Sequence, residues 1–543
     1  IGGDREELWR DIQVASKQLN VRKLRADFRL VDALVREILP DYENGAIMLE
    51  PAEREVDLTS LELIADLGFA TLTSTTSDYS HEGSGENDNT GVYASYDWLK
   101  WYGNSPRPMH RASRFYDQSA LTQELRLVSN ADDAFIDWIA GVYYHDADNN
   151  SGQDSRMVGY KEFWAAGDEW DIWPGRTTEA YLTAYGQVTE NDFYYRRAEN
   201  FKDKAVYGEV TLNFSEDLHL TLGARSFKNT ITNSTQLDIP VWNSDPDGPG
   251  TSFVDINGTG SEKDTLLKAN ISWDFNDETM VYGTIAEGYR RGGSNVIPLT
   301  GRYAENPDWL TYKSDTVVNY ELGLKGQTNT FSYTASLFYM DWKDPQLNTT
   351  ADWGFFTVAN GEAAVSQGIE LELNGELNEK LSYTVGYTYA DAKLKGDLYS
   401  PTGDVPSDSL ATVKKASDGE TLPGTPKSTF NIGLAYATEL ADMNWNTVVS
   451  GYYQSATRNA LGDNENFKAD MSDFQLWNVN STLSKDKWAA SLYIKNVFNE
   501  DGITGVVTEG YMGTNPDRSF YGNASKNSIS QPRTVGLSAA YNF

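Results

Sequence analysis

The sequence contains no cysteine and only four histidines among its 543 residues. The missing thiols exclude a disulfide framework, thiolate metal sites and cysteine nucleophiles, and they fit an oxidising compartment in which a stray thiol is a liability. Basic residues are also scarce: 45 Lys+Arg stand against 79 Asp+Glu, a net charge of −34. That balance argues against nucleic acid as a partner, because phosphate backbones need a cationic surface to displace their counterions. It argues equally against docking on anionic headgroups by charge alone. No run of about 18 apolar residues occurs, so no transmembrane helix is expected. No basic-then-apolar leader follows Ile1, so either a signal peptide has been removed or the N-terminus is missing. GxSxG, HExxH and P-loop motifs are absent, and His81, His110, His145 and His219 are scattered. The sequence therefore offers no catalytic constellation, and we expect no enzyme. His145, in YYHDAD, reads as a rim histidine, with a metal site among its acidic neighbours as the rival reading.

Aromatic residues, in contrast, are plentiful: 13% of the chain, with 32 Tyr and 15 Trp, at a mean hydropathy of −0.53. An outer-membrane barrel has this profile, because it hides its apolar face by alternation and collects Tyr and Trp at the membrane interfaces. The alternation is legible. Leu381, Tyr383, Val385, Tyr387 and Tyr389 share one face of a strand, opposite Ser382, Thr384, Gly386 and Thr388. Leu218, Leu220, Leu222 and Ala224 do the same, as do Phe430, Ile432, Leu434 and Tyr436. At the C-terminus Val535, Leu537, Ala539, Tyr541 and Phe543 line one face.

Alternation alone fits a soluble sandwich as well as a barrel. Connection length decides. Short connections lie near Ser215–Asp217, Asn276–Glu278, Thr328–Thr330, Asn378–Lys380 and Ser484–Lys487. Between them run long ones, at roughly 81–118, 151–204, 230–262, 292–313, 394–424 and 500–530. Tight periplasmic turns and long outer loops are a barrel's signature. The segments between reach the roughly 9–11 residues of a tilted spanning strand. The expected fold is all-β, a large antiparallel transmembrane β-barrel with about nineteen strands visible. The first, at about 20–30, descends like the last, and antiparallel closure needs a rising strand before it. Residues 1–19 are then an outer loop or N-terminal remnant, and 20–543 the barrel.

Several segments resemble the barrel of TonB-dependent receptors. They include LTQELRLVS (Leu121–Ser129), WIAGVYY (Trp138–Tyr144), MVYGTIAEGYRRGGSN (Met280–Asn295), NYELGLKG (Asn319–Gly326) and FYMDWKDPQ (Phe338–Gln346). NGEAAVSQGIELE (Asn360–Glu372), LPGTPKST (Leu422–Thr429), IKNVFN (Ile494–Asn499) and QPRTVGLSAAYNF (Gln531–Phe543) follow in order. The resemblance implies a barrel of roughly 22 strands holding a plug domain, located in the outer membrane and importing a scarce solute with energy from TonB. Ferric siderophore is the default ligand class and an oligosaccharide the close competitor. Nothing in residues 1–60 resembles the plug or the segment that contacts TonB, so N-terminal strands and plug are expected to be missing from this sequence. Rival readings are a passive porin-like channel, a plugless scaffold barrel and a soluble β-rich binding protein.

Ligand recognition is expected in the outer loops. Trp164, Trp170 and Trp173 crowd the longest, with Asp168, Glu169 and Asp171 between them; Trp98, Trp101, Trp309 and Trp353 are further loop candidates. Exposed aromatics stack on sugar rings or on siderophore aromatic groups, or else pack the loops against each other. Arg290 and Arg291, in EGYRRGG, have the chemistry to hold an anionic ligand or a lipopolysaccharide phosphate; alternation sends one to the lumen and one outward. Asp245 and Asp247, in NSDPDG, form a weak candidate Ca2+ loop that lacks the distal carboxylate. No other cofactor is expected.

Overall fold

A computed structural model describes residues 48–88, 109–130, 134–159, 190–238, 254–297, 299, 306–350, 356–401, 412–462, 469–508 and 525–542. The chain divides into Ile1–Met48 and Leu49–Phe543, and the described strands lie in the second part. Seventeen strands form one antiparallel sheet. They are β1 Ala52–Asp66, β2 Ala70–Asp88, β3 Met109–Ser129, β4 Ile136–Val158, β5 Asn191–Asn213, β6 Leu218–Asp238, β7 Val254–Asn276 and β8 Thr279–Arg290. Then come β9 Asp315–Gln327, β10 Phe331–Lys343, β11 Ala363–Asn378, β12 Leu381–Lys395, β13 Ser428–Leu440, β14 Met443–Gln454, β15 Phe474–Lys485, β16 Trp488–Lys495 and β17 Thr534–Tyr541. Each pairs with the next in sequence. Seventeen described strands stand against about nineteen expected, and the expected strand near 20–30 lies outside the described residues. Among the described residues β1 and β17 do not pair. They run the same way, as an odd number of meandering strands must.

Register shows why this sheet is a lipid-facing wall. Leu220, Ile271, Gly283, Leu322, Leu337 and Ile369 form one row across six strands. Ile271, Leu322 and Leu337 are each more than half exposed. One residue along, Thr221, Asn270, Thr284 and Glu321 form the row on the other face, and Asn270 donates to Thr284 at 2.7 Å. Exposed apolar surface costs about 25 cal/mol per Å2 in water, and among the described residues no second layer covers these rows. Lipid does. The alternating residues take the predicted faces wherever they are described: Leu218, Leu220 and Leu222 point out, as do Leu381 to Tyr389, Phe430 to Tyr436, and Val535 to Tyr541, while Phe543 lies outside the described residues.

The short connections are built as expected. Ser215 Oγ accepts from the Asp217 and Leu218 amides, Asn276 Oδ1 from Glu278, Thr328 Oγ1 from Thr330 and Phe331, and Asn378 Oδ1 from Lys380. These side chains imitate a backbone turn. Ala441 and Asp442 instead take φ of 53° and 61° to close a two-residue hairpin.

Within the wall, tyrosines lie flat across inward-facing glycines. Tyr207 of β5 covers Gly141 of β4 and reaches Glu124 of β3. Tyr282 of β8 covers Gly323 of β9 and donates to Glu321 at 2.5 Å. A Cβ on either glycine would overlap the ring.

The strands differ in height. From β2 to β7 they are 19 to 23 residues long; from β8 to β17 they are 8 to 16. The outward apolar run has similar length in both groups: Ile136 to Val142 in β4 matches Leu381 to Tyr389 in β12. The surplus therefore rises beyond the membrane on the long-loop side, by about 25–30 Å for twelve tilted residues. This corrects the reading of 81–118, 151–204 and 230–262 as loops, since much of each is strand. With water on one side and a wet lumen on the other, neither face of these extensions needs apolar residues, so their sequence carries no alternation.

On the shorter side the long connections fold into hairpins, including Gln346–Thr350 with Phe356–Asn360 and Leu398–Pro401 with Thr412–Ala416. They share a core of Leu347, Ala359, Ala364, Ala392, Leu394, Leu398, Ala416 and Leu422. Ala364, Ala392 and Leu394 face inward on β11 and β12, so this core lies inside the mouth.

Candidate functional site

The extension of β5 reads Tyr194–Asp203, YYRRAENFKD. Period two turns Tyr195, Arg197, Glu199, Phe201 and Asp203 inward, and Arg196, Asn200 and Lys202 outward. Register then assembles a patch on the inner wall. Gly83, Tyr116, Ser151, Arg197 and Thr235 form one row; His81, Gln118, Asn149, Glu199 and Asn233 form the next. Tyr116 and Arg197 are two strands apart, about 10 Å.

Charge in the patch is unbalanced. The Glu199 side chain is 6% exposed and takes two guanidinium groups, Arg197 Nη2 and Arg291 Nη2, each at 2.5 Å. Arg291 also lies over the Phe201 ring at 4.5 Å. Two cations on one carboxylate leave a positive excess on an inner wall of an otherwise acidic protein. Beside it the Tyr116 ring packs on His81 at 4.7 Å. The Tyr116 hydroxyl is buried without a hydrogen-bond partner among the described residues. A cationic pair, an unsatisfied hydroxyl and two aromatic faces suit an anionic, oxygen-rich ligand.

Arg291 arrives here because β8 parts from β7. Their pairing ends at Lys268 and Ala286, and the Glu287 carboxylate takes the Leu267 amide at the split, at 2.9 Å. Above that point the outward side of β8 meets the inner face of the taller strands. Tyr289 packs at a tilt against Phe227, with ring centroids 4.4 Å apart, and Asn233 Nδ2 donates to Ser294 Oγ at 2.5 Å. Arg290 and Arg291 do leave opposite sides of β8, but neither faces lipid, which corrects the expectation of one outward arginine. Arg290 Nη2 bonds Asp315 at 2.5 Å, and its guanidinium also donates to the Gln346 carbonyl at 2.9 Å. It clasps the rim.

Trp309 sits in the short helix Pro307–Leu310 and packs, half-buried, against the hairpin core, where its carbonyl accepts from Asn295. Trp98, Trp101, Trp164, Trp170, Trp173, Trp353, Asp245 and Asp247 lie outside the described residues. Among the described residues no group of His, Asp and Glu is arranged to hold a metal. His145 faces inward, its Nδ1 2.9 Å from Thr122 Oγ1. Sequence reasoning missed Arg197, Glu199, Phe201 and Tyr116. Their signal was the inward period in YYRRAENF, hidden because the outward positions are polar too.

The family model for the β-barrel of TonB-dependent receptors matches residues 54–497. The chain belongs to the TonB-dependent receptor family. This receptor barrel is 21% identical to the pesticin receptor of Yersinia pestis over 466 residues, covering 84% of this chain and 58% of the relative. It is 25% identical to the ferric-pyoverdine M114 receptor PbuA of Pseudomonas sp. (strain M114) over 330 residues, covering 60% of this chain and 35% of that protein. Its fold is similar to that of the ferric yersiniabactin uptake receptor FyuA from Yersinia pestis, with a TM-score of 0.66 at 14% identity, over 93% of this chain and 63% of the other. The chain spans between about a third and three-fifths of the length of these curated relatives. It is an outer-membrane β-barrel.

Proposed function

We propose that this barrel belongs to a receptor that binds a scarce extracellular solute at its mouth and passes it to the periplasm with energy from TonB. A ferric siderophore is the leading ligand class. The observation that carries this reading is the shared Glu199 carboxylate, whose two arginines leave a positive excess among aromatic faces on the inner wall. Siderophore complexes present anionic oxygens and flat rings, which such a wall recognises. The names of the pesticin, pyoverdine and yersiniabactin receptors point the same way. Glu321, Glu370 and Glu372 face the lumen lower down. Outer-membrane lipid and lipopolysaccharide surround the wall.

The oligosaccharide reading rests on Trp164, Trp170 and Trp173 with their acidic neighbours. Deleting the gene separates the two. A growth defect under iron limitation, rescued by the intact gene but not by an R197M/R291M variant, supports the siderophore reading. A defect on glycans instead, reproduced by replacing the three tryptophans with Ala, supports the other. Normal uptake under both conditions overturns the receptor reading.

A further inference from the structure

Lys204, Lys228 and Lys263 stand side by side on the outer face of β5, β6 and β7. Each is the direct register partner of the next, and all three are exposed. Directly opposed like charges destabilise a sheet. One step higher Lys202 is neutralised by Asp146 at 2.9 Å, but the row of three has no ion pair among the described residues. Only the Tyr144 ring attends it, 5.7 Å from Lys204 Nζ. Elsewhere the outer face just above the apolar run carries Asp78, Asp341 and Asp391, the last paired with Lys393 at 2.7 Å. A cationic row on a chain of net charge −34 is a local reversal.

Its height is informative. The outward row directly below is Val206, Ser226 and Thr265, and the next is Gly208, Ala224 and Leu267, with Val206 and Leu267 59% and 55% exposed; the row above is Lys202, Thr230 and Ser261. The row thus marks the border between lipid tails and water. Beneath it on the same side, a groove of about 470 Å3 opens where Gly283 leaves no side chain between Ile271 and Leu322. Ala269, in its wall, is six residues from Lys263 along β7. That is about 20 Å of strand, or about 14 Å of depth at the usual tilt, within one leaflet of a hydrocarbon core of roughly 30 Å.

We propose that the lysine row binds the phosphate groups of a phosphorylated glycolipid in the outer leaflet, with an acyl chain of that lipid lying in the groove below. Lysine serves here as a point charge for phosphate, and the bound anion relieves the repulsion along the row. The inference rests on the reading of the wall as membrane-embedded. It refines the low expectation for headgroup binding drawn from net charge, since binding follows the local field and not the sum.

The test uses the full chain in detergent, with thermal unfolding followed by heat-modifiable mobility during titration with bis-phosphorylated lipid A or its dephosphorylated form. The intact protein should be stabilised by the phosphorylated lipid alone. K204Q/K228Q/K263Q should bind it roughly a hundredfold more weakly, at about a factor of five per cation. Without lipid, at low salt, the same variant should melt no lower than the parent, because it has lost only mutual repulsion. Equal affinity in the triple variant overturns the proposal, as does equal stabilisation by the dephosphorylated lipid. Either result leaves the receptor reading standing if the protein still inserts into phosphate-free bilayers and takes up its solute.

Discussion

The two sides of this barrel solve one problem differently. From β2 to β7 the wall itself continues beyond the membrane, held by backbone ladders and cross-strand ion pairs such as Arg111–Glu86 at 2.5 Å and Arg196–Asp154 at 2.6 Å. From β8 to β17 the strands stop near the membrane surface, and hairpins with an apolar core of their own fold into the mouth. Both sides keep the same lipid-facing band, because bilayer thickness fixes it. Above the band nothing fixes height, so one side grew strand and the other grew packed loop. The mouth is therefore bounded by a polar, cationic wall and an apolar buttress, an asymmetry suited to an amphiphilic chelate.

If the buttress is a true core, Leu394→Ala should have the largest effect. Leu394 is 1% exposed, and such truncations cost about 2–5 kcal/mol. Hydrogen exchange should show protection lost across 346–350, 356–360 and 412–416, with β3 to β6 unchanged. Loss spreading into the tall wall would erase the distinction between the sides. A middle-sized effect is expected where the sides share a device. Gly141→Ala in the tall wall and Gly323→Ala in the short one each displace a covering tyrosine, costing about 1–3 kcal/mol of overpacking, read as matched drops in unfolding midpoint. The smallest effect belongs to the tall rim. A side-chain hydrogen bond from Arg111 holds Glu86 below the ordinary carboxylate value of 4.5. A depressed carboxylate stabilises the folded form above its unfolded value, and that contribution disappears as pH falls through the folded one. Amide protection at 82–88 and 109–115, corrected for intrinsic rate, should thus weaken below pH 4.5 by on the order of 0.5 kcal/mol for so exposed a pair. Hairpin protection at 412–416 should not follow it.

What the sequence made legible follows the same division. Where one face meets lipid, as in Leu218–Ala224 or Leu381–Tyr389, alternation is strong, and strands, faces and turns were all readable. Where both faces meet water, as in Tyr194–Asp203, no period of apolar residues survives and the strand reads as loop. The inner-wall patch lies in that unreadable part. Arg290 and Arg291 were visible by charge, but their carboxylates, Asp315 and Glu199, come from 25 and 92 residues away in sequence. Only register brings them together. Trp309 shows the converse: a tryptophan in a loop is conspicuous in sequence, and here it packs against the hairpin core.

Because the chain has no cysteine, single spin labels can be walked along one strand without background. Labels at the outward positions of β6, from Leu220 through Leu222, Ala224 and Lys228 to Thr232 and Ser234, should be reached by oxygen dissolved in lipid up to Ala224. From Lys228 upward they should be reached by a water-soluble nickel chelate. A crossover between those two positions is what a lipid-solvated band topped by a free-standing polar wall requires. Chelate access at Leu220 and Leu222 in a bilayer, or oxygen preference persisting to Ser234, would contradict it.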